Sequence, residues 1–411
     1  MLKILLLSSV LTLSAGFSNA YALEIHEWGT FTSMVNEKGG LLSGMNHEEV
    51  GLPGFVYGLR HDGPAAQNSA AQLALKNGSR PHCFSKCSFF GANDPMADVI
   101  PFNQFNTTVT QKMETPVIYF YGAKGEQVHV EVSFPDGMIS QWFPAASKFN
   151  SHLEEFNNGF MQWDVTLKDP SETSLYPRTS DNSIWNPARL TSANTIQTSV
   201  NGTEEERFIF YRGLADFKVP LQIKMKNKSA TELLVTLTNN SDQAVPALFY
   251  LKSTYADGVT NFLSLPTLKP HETKSFLTSN AQNLKSAKNV IQAALIQSGL
   301  FEDEALSMLN TWDQSYFHTE GERILYLLPT EWTEKILPMK LSPVPQKLVR
   351  TLVGRIELFS DNAQLALINK IDKNTEGLLV DRLLEPKLRA IQNKLLSSKV
   401  TDLLTKAKLV E

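Results

Sequence analysis

The stretch Gln127-Val128-His129-Val130-Glu131-Val132-Ser133-Phe134 alternates, with Val128, Val130, Val132 and Phe134 on one face and His129 and Glu131 on the other. A period of two carried by β-branched residues predicts a strand buried on one side. Just before it, Val117-Ile118-Tyr119-Phe120-Tyr121 is a continuous β-branched and aromatic run that follows Pro116. Just after it, Pro135-Asp136-Gly137 turns the chain into Met138–Phe143, and the pair reads as a hairpin. Further strands are expected at Phe160–Leu167, Arg207–Tyr211, Leu221–Met225, Glu232–Thr238 and Ala247–Leu251, with a last pair near Phe262 and Phe276. Short strands at this density, separated by turn clusters such as Asn239-Asn240-Ser241-Asp242, predict an antiparallel β-sandwich over residues 113–284. A Ser/Thr/Pro-rich loop from Asp169 to Pro187 interrupts it and is expected on the surface.

Helical patterning begins only after residue 285. Val290, Ile291, Ala294 and Leu295 recur at helical spacing within Ala287–Ser298, and Gly299 is a suitable stop. Glu302–Trp312 is acidic in its first turn and carries Ala305, Met308, Leu309 and Trp312 on one face, so the two segments predict a helical hairpin. Arg323–Leu328 is another apolar run, and Leu348–Phe359 reads as a final strand whose first half could equally be helical. Within 285–359 this gives a hairpin plus strands. Beyond residue 360, Leu384, Leu388, Ile391 and Leu395 predict C-terminal helices. Residues 23–112, rich in Gly, Asn, Ser and Pro, read as an irregular N-terminal segment with one short helix over Ala65–Lys76. The expected class is therefore mostly β with added helices (α+β): an antiparallel β-sandwich core, an irregular start and a helical end.

Composition excludes several roles. Among 411 residues, 42% are hydrophobic and 19% charged, which suits a folded globular chain rather than a disordered one. Thirty-eight Lys and Arg against 42 Asp and Glu leave a net charge of −4, so no nucleic-acid partner is expected.

The first residues decide the compartment. Lys3, the apolar run Ile4–Leu13 and the ending Ala20-Tyr21-Ala22 are the three parts of a secretory signal peptide over residues 1–22. The apolar centre is shorter than the roughly 20 residues a membrane span needs, so a retained anchor is the weaker reading. We expect a mature chain from Leu23, in the periplasm or secreted, with no transmembrane segment after signal removal. In that oxidising setting Cys83 and Cys87, the two cysteines of the chain, are expected to form a disulfide. A copper or zinc clip that adds His82, and free thiols, are the alternatives.

Chemistry is harder to locate. No G-x-S-x-G, H-E-x-x-H or phosphate-cradling glycine loop is present. Histidines concentrate early, and His26-Glu27, His47-Glu48 and His61-Asp62 each pair an imidazole with a carboxylate. Loops that bring His26, Glu27, His47 and His61 together would make a divalent-metal site with Glu27 as ligand or general base; ordinary loop histidines are the plainer alternative. Trp28, Trp142 and Trp185, with other aromatics, are candidates to line a ligand groove, although sandwich cores also consume tryptophan. Trp312–Glu320 with Arg323 mixes acid, base and aromatic groups at a helix end and is a third candidate, or an ordinary corner.

His26-Glu27-Trp28-Gly29-Thr30-Phe31-Thr32-Ser33 resembles the opening of an uncharacterised family of exported bacterial proteins. The likeness extends to Lys112–Tyr121, Phe210-Tyr211-Arg212-Gly213-Leu214 and Leu352-Val353-Gly354-Arg355-Ile356-Glu357, and so across most of the mature chain. It implies bacterial export and supplies no reaction, cofactor or catalytic residue. Two functions remain. One is an envelope protein whose sandwich binds an envelope or environmental ligand or partner. The other is an exported metal-dependent hydrolase or oxidase that uses the N-terminal His and carboxylate loops.

Overall fold

A computed structural model describes residues 22–45, 52–58, 109–150, 157–172, 174–254, 257–281, 287–373, 381, 383–392 and 403. Its strands begin with β1 (Glu24–Asn36), β2 (Tyr57–Gly58), β3 (Gln111–Tyr121), β4 (Gln127–Phe134), β5 (Gly137–Phe143), β6 (Lys148–Phe149) and β7 (Gly159–Lys168). They continue with β8 (Thr195–Thr198), β9 (Glu204–Glu206), β10 (Ile209–Ala215), β11 (Leu221–Asn227) and β12 (Leu233–Asn239). Next come β13 (Leu248–Thr254), β14 (Gly258–Leu265) and β15 (Thr273–Leu277). Helices α1 (Ala287–Gln297) and α2 (Glu302–Thr311) follow, then a π-helical turn over Asp313–His318 and β16 (Gly321–Leu327). The chain ends with α3 (Thr330–Ile336), β17 (Met339–Ser342), β18 (Lys347–Phe359), α4 (Asp361–Lys373) and α5 (Leu384–Gln392). The class is as the sequence predicts: mostly β, with helices towards the end of the chain.

A 9-stranded sheet runs β14-β13-β16-β18-β1-β3-β10-β5-β2, a 6-stranded sheet is ordered around β17-β4-β7-β8-β9, and a 3-stranded sheet is β11-β12-β15. All pairings are antiparallel except β1 with β18. Val128, Val130, Val132 and Phe134 of β4 are buried and join one hydrophobic cluster with Trp28, Phe31 and Tyr211 of the large sheet, so the layers share a core. A second cluster joins Leu384, Leu388 and Ile391 of α5 to Met34, Met138, Leu214 and Phe359, which places the C-terminal helices over one end of the large sheet. No helix among the described residues is long and apolar enough to cross a membrane.

Three expectations change. Residues 24–36 are not irregular: β1 is a 13-residue strand, central in the large sheet. It is flanked by other strands and buried on both faces, so it shows no alternation, and its Thr, Ser and Gly disguise it. The 127–134 and 138–143 segments are not a hairpin. Strand β4 pairs with β7 and β17, whereas β5 pairs with β10 and β2. Pro135-Asp136 is instead a corner at which the chain leaves one sheet for the other. Gly137 is needed there because a Cβ would lie 2.7 Å from the Leu214 carbonyl oxygen. The strands around Phe262 and Phe276 also part company, β14 joining β13 and β15 joining β12. By contrast α1 and α2 form the expected helical pair, and β18 is strand throughout. The large sheet draws strands from both sides of the 112/113 and 284/285 boundaries.

Residues 352–357, 26–33, 112–121 and 210–214 lie side by side, in β18, β1, β3 and β10. Irregularities concentrate where they meet. The β1–β3 register shifts between Trp28 and Thr30, and Thr115 takes a left-handed φ of 48°. Gly29 permits this, since a Cβ there would lie 2.8 Å from Pro116 Cα.

Candidate functional site

His26 is fully buried on β1. Its Nδ1 lies 2.7 Å from Glu304 Oε2 and its Nε2 2.7 Å from Glu24 Oε1, so the ring bridges the two carboxylates. Glu304 stands in the third position of α2 and also accepts the Phe301 N–H at 2.7 Å and the Tyr121 hydroxyl at 2.9 Å. The N-terminus of α2 is thereby tied to the centre of the sheet. Phe301 and Tyr121 pack on the imidazole with ring centroids at 4.6 and 5.3 Å.

Glu27, the next residue, belongs to a different environment. Successive strand residues point to opposite faces, so Glu27 and His26 meet different neighbours. Its Oε1 accepts the Tyr211 hydroxyl and its Oε2 the Arg350 Nε–H at 2.7 Å. Burial pushes the Tyr211 hydroxyl well above its usual range, and the Glu27 charge adds to this. For Arg350 burial works the other way, but Glu27 outweighs it and raises the guanidinium. The structure thus gives His26 and Glu27 separate partners, Glu24 and Glu304 for the imidazole and Tyr211 and Arg350 for the carboxylate, on opposite sides of β1. His47 and His61, like Cys83 and Cys87, lie outside the described residues. Among the described residues no group of three or more His, Cys, Asp or Glu is placed to hold a metal ion.

The tryptophans also fall elsewhere than expected. Trp28, Trp142 and Trp185 are all buried. Trp28 meets Trp312 edge-on at 6.4 Å, Trp142 stacks with Tyr57 at 6.2 Å, and Trp185 packs on Phe210 at 4.9 Å while its Nε1–H donates to Glu206 Oε2 at 2.8 Å. They build the core, because the sandwich interior has first claim on large flat side chains.

The third candidate resolves into something more specific. Beneath the 313–318 π-turn lies a buried network of charges. Lys112 Nζ meets Glu114 Oε1 at 2.8 Å, and Glu114 Oε2 accepts hydroxyls from Thr32 at 2.8 Å and Tyr316 at 3.2 Å. The Arg355 guanidinium stacks 4.4 Å from the Tyr316 ring centre and donates through Nε to Glu357 Oε1 at 2.7 Å. Arg323 donates to the same oxygen at 2.7 Å, to the carbonyls of Tyr316 at 2.6 Å and Thr319 at 2.8 Å, and to Ser253 Oγ at 3.2 Å. Burial pushes the Glu114 carboxyl up, but Lys112 and Arg355 outweigh it and hold it below the usual carboxylate range. The same contest at Glu357, with Arg323 and Arg355 as the winning charges, leaves its carboxyl at about 2. Arg323 therefore fixes the π-turn to β13, beside the start of β14; a Cβ on Gly258 would lie 2.9 Å from the His318 ring. Of these residues, only the 312–320 segment and Arg323 stand out in the sequence as candidates for chemistry; Thr32, Lys112, Glu114, Arg355 and Glu357 stand out only within the segments of the resemblance. The others are dispersed along the chain, and only the β18-β1-β3 order brings them together.

The pinned strand, β14, ends the large sheet. It reads Gly258-Val259-Thr260-Asn261-Phe262-Leu263-Ser264-Leu265, with no charge and no proline. Other sheet margins are blunted. Strand β2 has two residues, β9 is Glu204-Glu205-Glu206, and β17 carries Lys340 paired to Glu131 at 2.6 Å. Strand β15 carries Lys274, and β11 carries two lysines and is covered where the Met225 N–H donates to the Glu37 carbonyl at 2.9 Å. Along β14, alternate N–H and C=O groups point away from β13, and among the described residues no other main chain pairs with them. Phe262 is buried and stacked on Phe249 at 5.8 Å, while Ser264 is exposed. This neutral, anchored edge is the candidate site.

No family model matches the chain, and no curated protein matches it. Solved structures with some likeness include the yeast delta-COP-I mu-homology domain complexed with a Dsl1 WxWxV peptide, at 6% identity and a TM-score of 0.27, covering 83% of this chain and 96% of that chain. Another is the Fcho1 mu homology domain of Danio rerio with bound Eps15 peptide, at 6% identity and a TM-score of 0.30, covering 82% and 97%. Likeness at this level carries no inference about the fold or the function of the chain.

Proposed function

We propose that this chain is a partner-binding protein of the bacterial envelope that takes an extended peptide onto β14 as an added strand. The carrying observation is that β14 alone among the described sheet margins is long and uncharged, with no described main chain paired to its outer side. Edge strands left in that state pair readily with another chain, and proteins usually protect them. Strand addition draws affinity from main-chain hydrogen bonds and specificity from alternate side chains. The matching partner is a neutral stretch of alternating apolar and polar residues, because β14 offers the half-buried Leu263 and Leu265 on one face and the exposed Ser264 on the other. Anchoring of the neighbouring π-turn by Arg323 favours binding, since a rigid edge loses little entropy when the partner docks.

The test is selection of displayed random decapeptides against the mature chain, followed by affinity measurement with Thr260→Lys/Ser264→Lys. Charges on the edge should weaken the selected peptides about tenfold or more, which is about 1.4 kcal/mol. Peptides that bind the double variant equally well would overturn the reading.

Export is part of the same proposal and is supported by Lys3, the short apolar run and Ala20-Tyr21-Ala22. N-terminal sequencing of periplasmic or secreted protein should begin at Leu23; material that still begins at Met1 would count against it. On this reading Cys83 and Cys87 are paired and resist thiol reagents until reduced.

A further inference from the structure

The three-stranded sheet has one buried face and one open face. Ile223, Val235, Leu237 and Phe276 are buried on the inner side. On the outer side the register sets Lys224 beside Thr236 beside Ser275, and Gln222 beside Thr238 beside Thr273. Lys226 extends the lysine file by one row. Thr236 Oγ1 and Ser275 Oγ are 2.8 Å apart, and Thr238 Oγ1 and Thr273 Oγ1 are 3.0 Å apart, so the hydroxyls form paired rungs. None of these positions holds a carboxylate, and neither lysine is ion-paired among the described residues. Glu37 runs along the β11 edge, where its carboxylate accepts the Asn227 N–H at 3.3 Å. In a chain of net charge −4 this is not a product of general basicity.

We infer that this face binds an acidic polysaccharide, separately from the β14 edge and independently of what that edge binds. Residues two apart on a strand repeat about every 7 Å, and neighbouring strands lie about 4.8 Å apart, so the face sets one file of two cations beside two rows of hydroxyls. Lysines answer the carboxylates or sulfates of such a chain, while Thr, Ser and Gln answer its hydroxyl groups. Nucleic acid fits less well, because the face offers no arginine and no aromatic ring for a base. A membrane surface fits less well too, because apart from Leu234 and Leu277 the face has no apolar side chain to insert.

The test is affinity electrophoresis and titration of the full mature chain with polygalacturonate and heparin. Neutral dextran, single-stranded DNA and vesicles containing phosphatidylglycerol are the comparison arms. Acidic glycans should retard the protein, salt should weaken the effect, and Lys224→Gln/Lys226→Gln should weaken it about tenfold. Thr236→Val should weaken it further with both lysines in place, and thermal unfolding should show all variants folded. Equal retardation by dextran, binding of DNA or vesicles alone, or an unchanged double variant would each overturn the inference.

Discussion

Replacing Glu357 with Gln tests the buried network that fixes the π-turn beside β14. The carboxylate accepts Nε–H bonds from both Arg323 and Arg355 at 2.7 Å and is almost fully buried. Its folded value of about 2 against an ordinary 4.5 corresponds to about 3 kcal/mol of stability. Because the folded value is depressed, that stability is present in full above pH 4.5 and drains away as pH falls towards 2. Glu357→Gln keeps the shape but leaves two buried guanidinium groups facing a neutral amide. Breaking such a pair costs about 3–5 kcal/mol, so the loss at pH 7 should fall in that range. Urea unfolding followed by tryptophan fluorescence at pH 7, 4.5 and 3 measures it. The gap between the two proteins should narrow as pH falls, since the native carboxylate is then losing its own charge. A loss under about 1 kcal/mol at pH 7, or a gap that does not change with pH, would refute the assignment.

His26→Ala should destabilise the protein by about 3 kcal/mol in the same assay, because it strands Glu304 and Glu24 in or near the core; an unchanged midpoint would contradict the clamp. Gly213→Ala should abolish soluble expression, since a Cβ would lie 2.0 Å from the Met138 carbonyl oxygen. Gly29→Ala, facing Pro116 Cα at 2.8 Å, should cost about 1–3 kcal/mol, and a stable, well-folded variant would show that the bulge can relax.

Legibility in the sequence followed the physics of each element. Strand β4 was readable because one of its faces is buried and the other is not, and the α1–α2 faces were readable at helical spacing. Strand β1 was not, because a strand buried on both faces loses its period, and its polar residues are compensated from far away. Glu304, the partner of His26, lies 278 positions along the chain. Pro135-Asp136-Gly137 misled because the same turn chemistry serves a hairpin and a corner between sheets. For the site, the neutrality of residues 258–265 is written in the sequence. That they form a margin is written only in the strand order. The buried charges beside it could not be assembled from residues that fall in β3, β16 and β18.

Hydrogen exchange resolved at β14 is the most direct test of strand addition. In the free protein, amides of residues 258–265 that face β13 should exchange slowly and the alternate, outward amides fast, with a period of two. A saturating selected peptide should slow the outward amides as well. Outward amides already protected in the free protein, or unchanged while the peptide is bound, would contradict the account.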